Sequence, residues 1–328
     1  MANNNGKVNG NAAIAAKVVD RILELVNSGE SLPWVKPWNR KPNTITVVDG
    51  YKTISCHPTA WNRQGKPYNG VNTYLPYGEY ITFNQCKEEG GKVKKGAKGF
   101  PVVYWNFQKK VEIDENGEEH ERTIPFLKYY TVFNIEDCEG LEQKNHPEDI
   151  TITIPISHVV DNPDSPELIP AAEAIINDYI ANNKGFDFYN EEVSDRAYYS
   201  PASDCVHVPN HNQFADIAEY YSTAFHEIGH STGHSTRLNR FTGNAKNAAF
   251  GSEEYSREEL VAESTAATLL NMLGLENGNS FRNSAAYIKS WSSHIKDDPM
   301  MFITAMTRAQ AAVNYILGIE AEKENGVA

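Results

Sequence analysis

The sequence predicts an α+β protein of two domains, the first mixing a helix with strands and the second mainly helical. Three observations carry that prediction. The chain has 328 residues, enough for two cores of ordinary size. Apolar periodicity changes from strand-like to helical on either side of an acidic, proline-containing stretch at 139–168. The charge changes as well: residues 1–112 hold 16 Lys and Arg against 8 Asp and Glu, a balance of +8, and residues 113–328 hold the other 14 against 35, a balance of −21. The whole-chain value of −13 therefore conceals a basic half able to meet a polyanion.

In chain order, residues 1–12 read as a disordered, Asn-rich tail with no apolar stretch of signal-peptide type. Residues 14–26 (IAAKVVDRILELV) place their apolar side chains on one helical face, and Asn27-Ser28-Gly29 ends the helix. The PWVKPW stretch at 33–38 is extended, because proline disfavours helix at the residue before it. Residues 80–86 (YITFNQC) read as a short helix or strand. A glycine- and lysine-rich loop at 90–99 leads into strand-like runs at 100–107 and 125–135, and Asp114-Glu115-Asn116-Gly117 suits the hairpin turn between them. One strand is expected at 150–156. Helices follow at 170–182, 214–233, 256–273 and 304–317, with short strands around 196–199 and 205–208. The resulting domains are 13–138 and 169–320, joined by a linker at 139–168 and closed by a tail at 321–328. No apolar run approaches the roughly 18 residues of a membrane span. Cys56, Cys86, Cys138 and Cys205 are scattered without a CxxC pair, which suits reduced thiols and a cytoplasmic protein.

His226-Glu227-Ile228-Gly229-His230 is an HExxH sequence inside the helix expected at 214–233. Histidines four apart on a helix share one face and can reach one ion through their imidazole nitrogens. Glu227, one residue on, falls beside the ion as a catalytic base, placed to take a proton from water whose pKa zinc lowers to about 7. A third protein ligand is needed. The extended HExxHxxGxxH form would put a histidine at 236, but that residue is Thr236. His234 stands two residues early, read as one further turn along the helix and on the substrate side or supporting a ligand. Glu259 and Glu263 are better placed, since Glu259, Ala262, Glu263 and Ala266 share a helical face whose small residues allow close approach to the HExxH helix. The ExxxE spacing resembles that of glutamate-type zincins, and on that analogy Glu259 binds zinc while Glu263 hydrogen-bonds a ligand histidine. The reverse assignment stays open, as does a capping box from Ser256 to Glu259 in which Glu259 only satisfies a backbone N–H. One Zn2+ per chain is expected, with Mn, Co or Ni accepted by the same ligands. Tyr198, Tyr199, Tyr255 and His294 are candidates to polarise the substrate oxyanion.

In the basic half, Lys92, Lys94, Lys95 and Lys98 crowd one loop, and Tyr104 and Trp105 follow at once. Trp34 and Trp38 supply further rings among Lys36, Arg40 and Lys41. Lysines that track phosphates beside rings on which bases stack suit a single-stranded nucleic acid. No helix here offers a recognition face for a duplex groove.

At these residues the sequence resembles the antirestriction proteins of ArdC type carried by conjugative plasmids and phages. The resemblance runs through PWVKPWN, KPYNGVNTYLPY, ITFNQ and GGKVKKGAKG in the first half. In the second it runs through YYSPASDCVHVP, FHEIGHSTGHSTRLNR, YSREELVAE and AAYIKSWSSHIKDDP. It implies a single-stranded-DNA-binding domain fused to a zincin-like metallopeptidase domain, together protecting incoming DNA from host restriction. A protein substrate, a restriction enzyme or another DNA-bound protein, is implied as a partner, and no membrane. Two other functions fit the same residues: a DNA-tethered metalloprotease, and a non-proteolytic DNA binder with a structural metal.

Overall fold

The computed structural model describes residues 10–28, 44–48, 51–56, 58, 60–113, 119–147, 150–155, 168–190, 193–241, 253–275 and 292–319. Helix α1 (Gly10–Ser28) buries Ala15, Val18, Val19, Ile22 and Leu23, a row at helical spacing. It starts at Gly10, so the last residues of the stretch expected as tail are helical. Strands β1 (Thr44–Val48) and β2 (Tyr51–Cys56) pair antiparallel, and β9 (Ile150–Pro155) adds to the free edge of β2. The segment expected as a linker thus supplies a strand to the N-terminal half.

The main N-terminal sheet has the order β3-β4-β7-β6. Strands β3 (Ala60–Asn62) and β4 (Gly78–Thr82) are parallel, and β4 runs antiparallel to β7 (Glu119–Asn134). The long hairpin of β6 (Phe100–Ile113) and β7 keeps one register from Phe100↔Val132 to Ile113↔Glu119. Its β-branched and aromatic side chains suit a pleated surface. The Asn116-Gly117 turn lies outside the described residues. Residues 80–86 prove to be both alternatives: the end of β4, then α2 (Phe83–Glu88), entered through a reciprocal capping box between Thr82 and Gln85. Strand β5 (Lys92–Val93) pairs with β8 (Cys138–Glu139), so the lysine-rich segment begins tied down rather than as an open loop.

The C-terminal half contains α3 (Pro170–Asn182), the small sheet β10 (Asp187–Tyr189), β12 (Cys205–His207) and β11 (Tyr198–Ser200) in that spatial order, then α4 (Ile217–Ser231), α5 (Glu253–Leu273) and α6 (Pro299–Ile316). One core lies behind α4, around Tyr179, Val206, Tyr221, Phe225, Ile228 and Leu269. The other runs from Val18 and Ile22 of α1 through Tyr80, Val102 and Val132 of the main sheet to Val261 of α5 and Phe302 and Met306 of α6. Burial of such side chains is worth about 1.5–3 kcal/mol each. Apolar packing through α5 and α6, and not the linker alone, therefore holds the two halves together. No helix among the described residues is long and apolar enough to cross a membrane.

Candidate metal centre

The site is built on two helices. Asp216 caps the start of α4, its carboxylate accepting from the Ala218 N–H at 2.9 Å. At the other end Arg237 Nε donates to the Ser231 carbonyl at 2.7 Å and Arg240 Nη2 to the Gly229 carbonyl at 2.8 Å. Two cations thus satisfy carbonyls at the negative end of the helix. Between these ends Phe225 and Ile228 are buried, which turns His226 and His230 together toward α5. A methyl group added at Gly229 would stand 3.2 Å from the Ala262 Cα, so the two helices touch through backbone. A side chain there would require the α5 backbone to give by a few tenths of an ångström.

The approach brings Glu259 between the histidines. Its oxygens lie 3.4 Å from His226 Nε2 and 3.3 Å from His230 Nε2, and the two Nε2 atoms are 3.1 Å apart. One donor atom from each of the three residues falls within 4.8 Å of the others. The outward nitrogens are also engaged: His226 Nδ1 is 3.4 Å from Glu263 and His230 Nδ1 is 3.6 Å from Glu258. Carboxylates behind both rings fix which nitrogen faces the centre. Arg240 in turn holds Glu258, with Nη2 2.6 Å from Oε1 and Nε 3.1 Å from Oε2. Helix α5 begins at Glu253, so Ser256 is inside it and the capping-box role considered for Glu259 does not arise.

The charges follow from these contacts. Burial opposes protonation of His226, yet hydrogen bonds to Glu259 and Glu263 raise its pKa; Glu258 and Glu259 do the same for His230. Glu259 is held below the usual carboxylate range despite its burial, by both histidines. Glu227 goes the other way. It is 8% exposed, and burial raises its pKa against the pull of the histidines and of a hydrogen bond from the Tyr199 backbone N–H.

His234 does not continue along the helix, because α4 ends at Ser231. It sits in the following turn with Nδ1 2.8 Å from Thr236 Oγ1 and 3.7 Å from Asp204, outside the three-donor cluster. Tyr199 donates its hydroxyl to Asp204 at 2.8 Å, and Tyr198 stacks on His207. His294 lies in a helical turn at 292–297, its Nδ1 3.5 Å from Ser293 Oγ. The Tyr255 side chain is outside the described residues. The sequence reading missed Glu258, Arg240, and the Asp204–Arg237 pair; cations just past a helix end, here Arg237 and Arg240, are the signal that could have drawn attention to two of them.

In the N-terminal half, Lys92, Lys94, Lys95 and Lys98 are all exposed. Lys98 pairs with Glu24 at 2.7 Å and Lys94 Nζ donates to the Glu136 carbonyl at 2.7 Å. Tyr104 is at the surface, whereas Trp105 is half-buried against the core that includes α1. Trp34 and Trp38 lie outside the described residues.

Known proteins match this arrangement along its length. Residues 12–133 match the family model for the N-terminal domain of anti-restriction factor ArdC, and residues 174–308 match that for a zincin-like metallopeptidase. The crystal structure of the metal-free antirestriction ArdC protein from the R388 plasmid is 31% identical, with a TM-score of 0.57 over 92% of this chain and 96% of that one. The chain belongs to the ArdC antirestriction family. The Mn(II)-bound structure of the same ArdC protein is 29% identical with a TM-score of 0.59, covering 94% of this chain and 98% of that one. DNA primase TraC of Escherichia coli is 30% identical over 93% of this chain and 27% of its own length. The chain spans about a quarter of that relative. The uncharacterized protein y4eC of Sinorhizobium fredii is 25% identical over 92% of this chain and 91% of its own. The two-domain α+β organisation is thus that of ArdC proteins, with a zincin-like second domain.

Proposed function

We propose that the chain is an antirestriction protein that binds single-stranded DNA through its N-terminal half and cleaves a protein target at the α4–α5 centre. It acts in the cytoplasm, where incoming DNA meets restriction enzymes. The observation that carries the catalytic part is the convergence of His226, His230 and Glu259 with Glu227 buried alongside. Two imidazole nitrogens and one carboxylate oxygen form a donor set that suits zinc and is also accepted by manganese, cobalt or nickel. The Mn(II)-bound ArdC structure supports a divalent ion here. When bound, such an ion would supply Lewis acidity and lower the pKa of water toward about 7.

The protein groups do the rest. Glu227, its pKa raised by burial, accepts a proton from the attacking water and returns it to the leaving amine. Glu258 and Glu263 hold the imidazoles in the orientation that presents Nε2. The exposed lysines meet phosphates.

The test pairs chemistry with biology. Purified wild type should hold about one divalent ion per chain, and His226→Ala should hold none. Transfer of unmodified DNA into a restricting host should be protected by wild type and not by Glu227→Gln. Protection that survives Glu227→Gln would remove proteolysis from the function and leave shielding of DNA by binding.

A further inference from the structure

A cavity of about 250 Å3 opens on the main N-terminal sheet, away from the metal centre, and is lined by Asn62, Tyr68, Tyr80, Thr82, Gln85 and Tyr130 among others. Its size is below the roughly 300–1,000 Å3 of sites for drug-sized ligands, which suits a single ring system. No ionised side chain lines it. Such an uncharged lining of amides and rings suits a flat, polar heterocycle better than a phosphate.

The amides in the wall are oriented in advance. Gln85 Oε1 accepts from the Thr82 N–H and hydroxyl, both at 3.0 Å. Asn62 Oδ1 accepts from the Gln64 and Lys66 backbone N–H groups at 2.9 and 3.0 Å. A backbone N–H can only donate, so each amide oxygen is fixed toward it and each NH2 is left for another acceptor. Neither NH2 has a protein acceptor among the described residues. The rings complete the site: Tyr68 meets Tyr80 edge-on at 6.2 Å, and Tyr130 is 37% exposed and 5.9 Å from Tyr104. By register, Tyr130, Lys128 and Phe126 share one face of β7, and Tyr104 on β6 lies opposite Lys128 on that face. Aromatic and cationic side chains therefore continue outward from the cavity mouth.

We propose that this cavity takes one base of a single strand, stacked against Tyr130, with the strand leaving past Tyr104 and Lys128. The proposal rests on the reading of the N-terminal half as a single-strand binder, and it adds a base-holding site that the lysine-rich segment lacks. Two preset NH2 donors favour a base edge with carbonyl acceptors, as in thymine.

The experiment measures binding of oligothymidylate and of an abasic strand of equal length to wild type, Tyr130→Ala, Gln85→Glu and Lys92→Gln. Glu at position 85 keeps the acceptor that caps α2 while replacing the donor, so folding is preserved. Tyr130→Ala and Gln85→Glu should each weaken oligothymidylate binding on the order of tenfold and leave the abasic strand unchanged, while Lys92→Gln weakens both strands alike. Wild-type oligothymidylate binding by Tyr130→Ala and Gln85→Glu, with loss in Lys92→Gln, would overturn the cavity and keep the single-strand reading. Failure of wild type to bind any single strand would overturn both. Free thymidine monophosphate binding as tightly as the oligomer would make the occupant a free nucleotide and overturn the strand.

Discussion

The metal centre and the lysine-rich segment are both conspicuous in the sequence, and the fold treats them in opposite ways. His226, Glu227 and His230 sit on α4, where the helical repeat converts spacing into position; capping, core packing and Glu258, Glu259 and Glu263 then leave each ring little freedom. The lysines start on a two-residue strand and end in turns, with every side chain in solvent. Some of their charge is already matched, Lys98 by Glu24. The difference teaches that a motif on a rigid element specifies geometry, whereas a run of like charge specifies only potential.

The strongest way to break the comparison is to remove the third donor. Glu259→Ala should leave no stoichiometric metal after gel filtration. Glu263→Ala touches only the outer nitrogen of His226 and should weaken metal affinity by about 10–100-fold without abolishing it. Loss in Glu263→Ala alone would reverse the roles of the two glutamates, and equal loss in both would make Glu263 as necessary to the ion as Glu259.

The next effect concerns the helix contact. Gly229→Ala would place a methyl group 3.2 Å from the Ala262 Cα, so α5 must give by a few tenths of an ångström, at an expected cost of about 1 kcal/mol in stability. Metal affinity should fall with it, because Glu259 rides on α5. A variant destabilised in a thermal melt but unchanged in metal affinity would show that the donors adapt and that the centre is less preset than the geometry implies.

How much of this was legible follows from sequence distance. The HExxH helix and the ExxxE face are local patterns, so Glu227, Glu259 and Glu263 stand out from spacing alone. Glu258 does not, because beside Glu259 it looks like solvated charge; its partner Arg240 is 18 residues away. The same holds for Arg237 and Asp204, 33 residues apart. Strands β1 and β2 escaped the apolar-period reading, although Asp49-Gly50 between them has hairpin composition, and β9, read as an isolated strand, joins them from nearly a hundred residues on. The shared core escaped for a related reason. Leu260 and Val261 face away from the metal side of α5, and nothing local says that the other half of the chain covers them.

A weaker effect probes the lysines. If they bind phosphates, Lys92→Gln and Lys95→Gln should each lower the slope of log K against log salt for single strands by about 0.7. Lys98→Gln should change it less, since Glu24 already neutralises that side chain. Glu24→Gln should then raise affinity slightly by freeing it. Equal slopes for all three lysine variants would mean that the ion pair opens at no cost.

The smallest effect tests whether the scaffold of the metal half depends on the ion at all. Burial would raise the Asp204 carboxyl, but Arg237 and the Tyr199 hydroxyl hold its pKa below the usual value. A folded-state pKa below the unfolded value of about 3.9 means that the stabilisation is fully present above that pH and is lost as pH falls through the folded value. Metal-free wild type should therefore lose more stability than Asp204→Asn when denaturant midpoints are followed downward from pH 5. The comparison is made without metal because protons displace the ion from His226 and His230 in acid, which would add a second loss. Parallel pH profiles in the two proteins would mean that Asp204 contributes no pH-dependent stability, and that the turn after α4 is held by Arg237 Nε on the Ser231 carbonyl. Diverging profiles would place a brace of the centre 33 residues from its arginine, maintained by charge whether or not the ion is there.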